Sequence, residues 1–78
     1  MELVSLATIQ PGQKGTIKQI TGEGLFFTRL RELGMRPETA IAVVRRAPFG
    51  GALHVRLGDQ NNIAVSIQEA SQILLAII

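Results

Sequence analysis

Leu53-His54-Val55-Arg56-Leu57, then Gly58-Asp59-Gln60-Asn61-Asn62, then Ile63-Ala64-Val65-Ser66-Ile67: the reading of this stretch decides the fold. Leu53, Val55 and Leu57 alternate with His54 and Arg56, the period of a strand with one buried and one wet face. The five residues that follow are rich in types that tolerate positive φ, so they mark a hairpin turn. Ile63, Val65 and Ile67 then resume the alternation against Ala64 and Ser66. Upstream, Ile41, Val43 and Arg45 alternate with Ala42, Val44 and Arg46, and Ala47-Pro48-Phe49-Gly50-Gly51 supplies the connecting turn. Three consecutive strands with tight turns describe an antiparallel meander.

Outward from the meander the periodicity changes. Residues 25–33 hold no helix breaker, and Phe26, Leu30 and Leu33 fall at i, i+4 and i+7, one face of a helix. Gly34 stands where a left-handed C-terminal cap is needed, and Pro37 prevents continuation. The spacing predicts one short helix over residues 24–34, with Leu25, Arg29 and Glu32 on its wet side. Residues 16–20 read as a strand; Ile17 and Ile20 are three apart, which predicts a bulge or bend. Residues 3–9 alternate loosely and stop at the Pro11-Gly12 turn. Beyond the meander, Ser66 precedes Glu69 by three, the spacing of a capping box, so one helical turn is expected over residues 66–72. Residues 73–78 are apolar and β-branched, a final strand that must be covered or paired.

About five short antiparallel strands with one short helix bury these side chains economically only by closing into a small barrel. The expected architecture is a mainly β, SH3-like barrel occupying residues 1–78 as a single domain. Its expected core is Phe26, Leu30, Leu33, Val43, Leu53, Val55, Ile63, Val65 and Ile73.

Composition narrows the functions open to it. The 78 residues contain no cysteine, which removes disulfides and thiolate metal sites. The one histidine, His54, has no second His or clustered carboxylates near it in sequence, and a transition-metal site needs three or four converging donors. With His54 as the one available base, a nucleophilic triad has no plausible partner serine. The glycines form no phosphate loop. The expectation is therefore a non-enzyme with no catalytic residues, no resident metal and no cofactor. A net charge of +2 with dispersed arginines, and no Trp or Tyr to stack bases, argues against nucleic acid as a partner. The same lack of Tyr and Trp removes the shelf that holds proline-rich ligands in peptide-binding SH3 domains. Arg45, Arg46 and Arg56 read mainly as solubilising residues on adjacent strands. An acid follows Met1, no long apolar run is present, and the last six residues are far short of the ~20 needed to span a bilayer. A cytoplasmic protein without direct membrane insertion is expected. Leu25 on the wet face of the helix and Phe49 at a hairpin tip are apolar without serving the core; they read either as ordinary exposed apolar residues or as a docking patch.

Leu30-Arg31-Glu32-Leu33-Gly34-Met35-Arg36-Pro37, followed by Val43-Val44-Arg45-Arg46-Ala47-Pro48-Phe49-Gly50, resembles the FeoA family. Pro11-Gly12 with Gly15 and Ile17 is similar to the family's opening strand, and Glu69-Ala70 with Ile73 to its closing segment. Glu38 stands where the family prefers Gly, Gly51-Ala52 replaces a common Asp-Pro, and Ser66 replaces a frequent basic residue. These are fold motifs and carry no catalytic residue across. The resemblance implies a small accessory protein of bacterial ferrous iron uptake, whose partner is the cytoplasmic GTP-binding domain of a FeoB-type membrane transporter. Under it, Leu25 and Phe49 are the expected anchors, with Arg29 and Arg36 as rim charges that steer encounter. The same barrel resembles the C-terminal domain of iron- and manganese-dependent repressors, so a stand-alone metal-binding or metal-sensing domain is the alternative.

Overall fold

A computed structural model describes residues 2–48, 51–58 and 61–77. Its strands are β1 (Val4–Ser5), β2 (Lys14–Ile20), β3 (Ala40–Arg46), β4 (Leu53–Leu57), β5 (Asn61–Val65) and β6 (Ile73–Ile77). Helix α1 is Leu25–Glu32 and helix α2 is Ile67–Ala70, with a 3-10 turn at Leu6–Thr8. One antiparallel sheet runs in the order β1-β6-β2-β3-β4-β5. The mainly β fold with one helix longer than a turn is therefore as read, and the N-terminal stretch adds a two-residue sixth strand. The apolar C-terminal strand is paired on both sides, by β1 and β2, which removes its exposed edge.

The sheet curls. Val65 of β5 and Val4 of β1, on its two outermost strands, reach the same apolar cluster as Ile17, Val43, Val55 and Leu75. A flat sheet cannot converge both edges on one cluster; a barrel can. Along β3 and β4 the pairs Ile41↔Leu57 and Val43↔Val55 face inward, while Ala42↔Arg56 faces out. Period two alone sorts these side chains.

Bulges re-aim two strands. The β2–β6 register shifts between Ile17 and Gln19, where the isoleucine spacing predicts it. The β3–β4 register shifts between Val43 and Arg45, leaving Val44 as the extra residue. Without that bulge Arg45 would point inward, because a one-residue slip exchanges the two faces. With it, Arg45 points out beside His54, and Arg46 swings to the inner side opposite Leu53. Arg46 Nη1 donates to the carbonyls of Ala7 at 3.0 Å and Ile9 at 2.8 Å, closing the barrel end over the 3-10 turn. This corrects the reading of Arg46 as a member of a solvated basic patch: its charge is spent on backbone carbonyls.

Two turns carry the remaining local logic. Gly34 takes φ 108° after α1, and the next residue's N–H, that of Met35, donates to Leu30 O at 2.9 Å. A Cβ at that φ would be strained, which is why the helix ends on glycine. Glu38 occupies the same left-handed region at φ 74° without being glycine. Its N–H donates to Ile17 O, and its carboxylate accepts from Lys18 Nζ at 2.9 Å, so the turn persists under strain. Ser66 and Glu69 form the expected capping box of α2.

The core differs from expectation at the helix. Val43, Leu53, Val55, Val65, Ile73 and Leu30 are buried, and Ile63 is half-buried against the cluster. Phe26 and Leu33 are not core residues; Phe27 and Met35 take their places. The i, i+4, i+7 stripe was centred on the wrong side of Leu30: Phe27 and Leu30, at i and i+3, define the buried side, and Phe26 and Leu33 fall outside it.

Candidate docking surface

Helix α1 is held down by two side chains. Phe27 and Leu30 enter the core, and the Phe27 ring lies where a Cβ on Gly22 would stand, at 2.2 Å. Glycine at position 22 thus makes room for the ring that anchors the helix. Its N-cap, Gly24, supplies no side-chain hydrogen bond, and no acid stands in the first turn. Eight residues without such caps are marginal as a helix on their own, so the packing of these two residues sustains it.

The rest of the helix faces water, and it does so asymmetrically. At roughly 100° per residue, Leu25, Arg29, Leu33 and Phe26 fall in that order along one flank. Leu25 is 77% exposed, Leu33 47% and Phe26 39%. The Phe26 ring meets Phe27 edge-on, with centroids 5.4 Å apart and planes at 88°. Phe26 thereby joins the core to the surface flank. Arg29, Glu32 and Leu33 line a shallow depression of about 160 Å³ at the far end. Leu3, Val44 and Ile77 are the other large apolar residues exposed among those described, and they belong to separate strands or the N-terminus. An apolar run on a single helix flank is unlike that scatter, and contiguity is what distinguishes a docking patch from ordinary surface.

The site residues expected from sequence are placed as follows. Leu25 and Arg29 lie together, one turn apart on the exposed side. Arg36 lies beyond the opposite end, where its Nε donates to Arg31 O at 3.1 Å, satisfying a C-terminal carbonyl of the helix. The helix is ~12 Å long by its rise, so Leu25 and Arg36 stand at its two opposite ends. Phe49 lies outside the described residues. Sequence reasoning missed Phe26 and Leu33 as surface residues; the available signal was Gly22, which offers space to a ring only at the position facing it. On the C-terminal side, Asn61 Nδ2 donates to Leu33 O at 3.0 Å, tying the helix end to β5.

Among the described residues no three His, Asp or Glu side chains are grouped to hold a metal ion. No helix among them is long and apolar enough to cross a membrane.

Comparison with known proteins places these features. The crystal structure of an iron uptake regulatory protein, FeoA, superposes with a TM-score of 0.85 at 23% identity, covering 99% of this chain and all of that one. FeoA of Stenotrophomonas maltophilia complexed with zinc, described as a procaryotic SH3 domain protein, gives a TM-score of 0.80 at 22% identity over 94% of this chain and 89% of that one. A manganese-dependent transcriptional repressor gives 0.85 at 18% identity, covering 97% of this chain but 42% of the repressor. These likenesses establish a shared SH3-like fold. No curated protein sequence matches the chain. The family model of the FeoA domain matches residues 4–77, nearly the whole length. The chain belongs to the FeoA family of small accessory proteins of ferrous iron transport.

Proposed function

We propose that this chain works in the cytoplasm by contact with a FeoB-type ferrous iron transporter, on the transporter's GTP-binding domain, and that it catalyses nothing itself. Iron is the transporter's cargo in this reading, not a ligand resident on the barrel. The observation that carries the proposal is the flank of α1 on which Leu25, Phe26 and Leu33 are exposed side by side around Arg29. A lone domain gains nothing from three apolar residues there, whereas apolar anchors at the centre of an interface supply most of its binding energy. Arg29 lies among these apolar residues and Arg36 beyond the helix end, and charge there chiefly sets the encounter rate. Phe49 is a further anchor in the proposal.

Capture of the transporter's purified cytoplasmic domain on immobilised chain, with GTP, with GDP and without nucleotide, tests it. Retention in at least one nucleotide state supports the reading; absence in all three overturns it. Titration with ferrous iron or zinc checks the metal-sensing alternative. Only weak binding is expected, and stoichiometric sub-micromolar binding by the isolated chain would favour that alternative.

A further inference from the structure

The outer face of β2–β3–β4–β5 has a composition that folding does not explain. Lys14, Ala42, Arg56 and Asn62 form one outward row across four strands, through the pairs Lys14↔Ala42, Ala42↔Arg56 and Arg56↔Asn62. Arg45, His54 and Ala64 form the next. Alanine is depleted in strands, because it packs little surface against its cross-strand neighbours. Yet Ala40, Ala42 and Ala64 all stand at positions facing away from the core, where threonine, valine or tyrosine would favour the strand more. Their small side chains leave two adjacent grooves, of about 300 Å³ beside Lys14 and Arg56 and about 330 Å³ beside Arg45 and His54.

Among the described residues, charge on this face has one sign. None of the six strands carries an acidic residue: Glu2, Glu23, Glu32, Glu38 and Glu69 lie on helices, turns or the N-terminal lead, and the sixth acid, Asp59, lies outside the described residues. The one ion pair among the described residues joins Lys18 to Glu38, so Lys14, Arg45 and Arg56 have no ion-pair partner among those residues. Strands lie ~4.8 Å apart and alternate residues ~7 Å apart along a strand. The three cations therefore stand within about 10 Å of their neighbours around an alanine floor.

From these observations we infer that the outer face of β2–β5, with its floor of Ala40, Ala42 and Ala64 and its rim of Lys14, Arg45 and Arg56, is a second docking site, for an extended acidic segment of a partner protein. It is separate from the α1 flank and does not depend on the role given to that flank. Small side chains let an extended backbone approach closely, and cations without an ion-pair partner among the described residues select carboxylates. A nucleic acid fits less well: three cations neutralise few phosphates, and no Phe, Tyr or Trp stands on these strands to stack a base.

The experiment is an NMR titration of the full chain with a short blocked peptide of alternating Glu and Ala, against a Lys-Ala peptide and a short DNA duplex. Saturable shifts confined to Lys14, Ala42, Arg45, Arg56 and Ala64 are expected for the Glu-Ala peptide, and they should weaken as salt rises. The double variant Lys14→Glu/Arg56→Glu should lose about tenfold or more in affinity. Ala42→Leu fills the groove without altering charge and should lose binding by a similar factor; Ala64→Gln serves the same purpose should that variant not fold. Shifts that do not saturate, shifts centred on α1, or full binding by the groove-filled variants would overturn the inference. Tighter binding of the DNA duplex to the same face would overturn it in favour of nucleic acid.

Discussion

The β3–β4–β5 meander and helix α1 are attached to the same core in opposite ways. In the meander almost every second residue is buried, each strand is bonded to its neighbour, and the inward pairs repeat at Ile41↔Leu57, Val43↔Val55 and Leu53↔Val65. The helix contributes Phe27 and Leu30 to the core, has no side-chain cap at its start, and turns the larger part of its surface to water. Stability therefore resides in the barrel. The helix presents side chains and contributes few of its own to the fold, so its outer flank is open to change without loss of structure.

The largest effect that would test this contrast is expected at Leu53, fully buried in β4. Leu53→Ala should cost ~2–5 kcal/mol, against a total on the order of 5–10 kcal/mol for a domain of this size. Denaturant titration should show the midpoint collapse or the transition vanish. A loss below ~1 kcal/mol would mean that the sheet can close over the gap, contrary to close packing of the barrel. Next comes Gly22→Ala, which drives a methyl into the Phe27 ring. Overpacking of this kind costs ~1–3 kcal/mol, and here it should appear first in the helix. Amide exchange should quicken over residues 25–33 while the strands stay protected. Uniform loss of protection would show that helix and barrel unfold as one unit and would erase the distinction.

Arg46 tests what closes the barrel end. Arg46→Met keeps the aliphatic stem but removes the donors to Ala7 and Ile9. Both bonds come from one charged nitrogen, and a hydrogen bond involving a charged group contributes ~1.5–3 kcal/mol, so a loss of at least about 1.5 kcal/mol is expected. A neutral result would return Arg46 to the role of an ordinary surface charge. Glu38→Gly has the smallest expected effect on stability and the opposite sign. Relief of the φ 74° strain outweighs loss of an exposed ion pair with Lys18. A gain of up to ~1 kcal/mol in a thermal melt is expected; a loss would show that the Lys18 contact holds the turn.

The pattern of legibility follows the same division. Strand faces were readable because period two assigns every residue to one side, and neighbours two apart confirm each other: Leu53, Val55 and Leu57 leave no choice. The capping box at Ser66 and Glu69, the cap at Gly34 and the β2 bulge were readable because each depends on chemistry within a few residues. The face of α1 was not. Phe26, Phe27, Leu30 and Leu33 admit two stripes in so short a helix, and the choice between them is made by Gly22 and by where the chain meets the barrel. The β3 bulge was hidden for a related reason. Nothing in Val43-Val44-Arg45-Arg46 states which residue is extra, and the inward turn of Arg46 depends on carbonyls of the distant 3-10 turn. Of the residues proposed for docking, the exposure of Leu25 was legible, since either stripe leaves it outside, whereas the exposure of Phe26 and Leu33 required the fold.

The claim that the outer flank of α1 is a working surface and not a structural one is tested most directly by Leu25→Gln. Its melting temperature should match that of the unaltered chain, because a residue 77% exposed carries little of the fold. Titration calorimetry of the two proteins against the transporter's GTP-binding domain should then show the variant binding at least about tenfold more weakly, as expected for an anchor at an interface centre. Equal affinity with an unchanged melt would contradict the account, and so would a lost melting transition, which would make Leu25 a core residue.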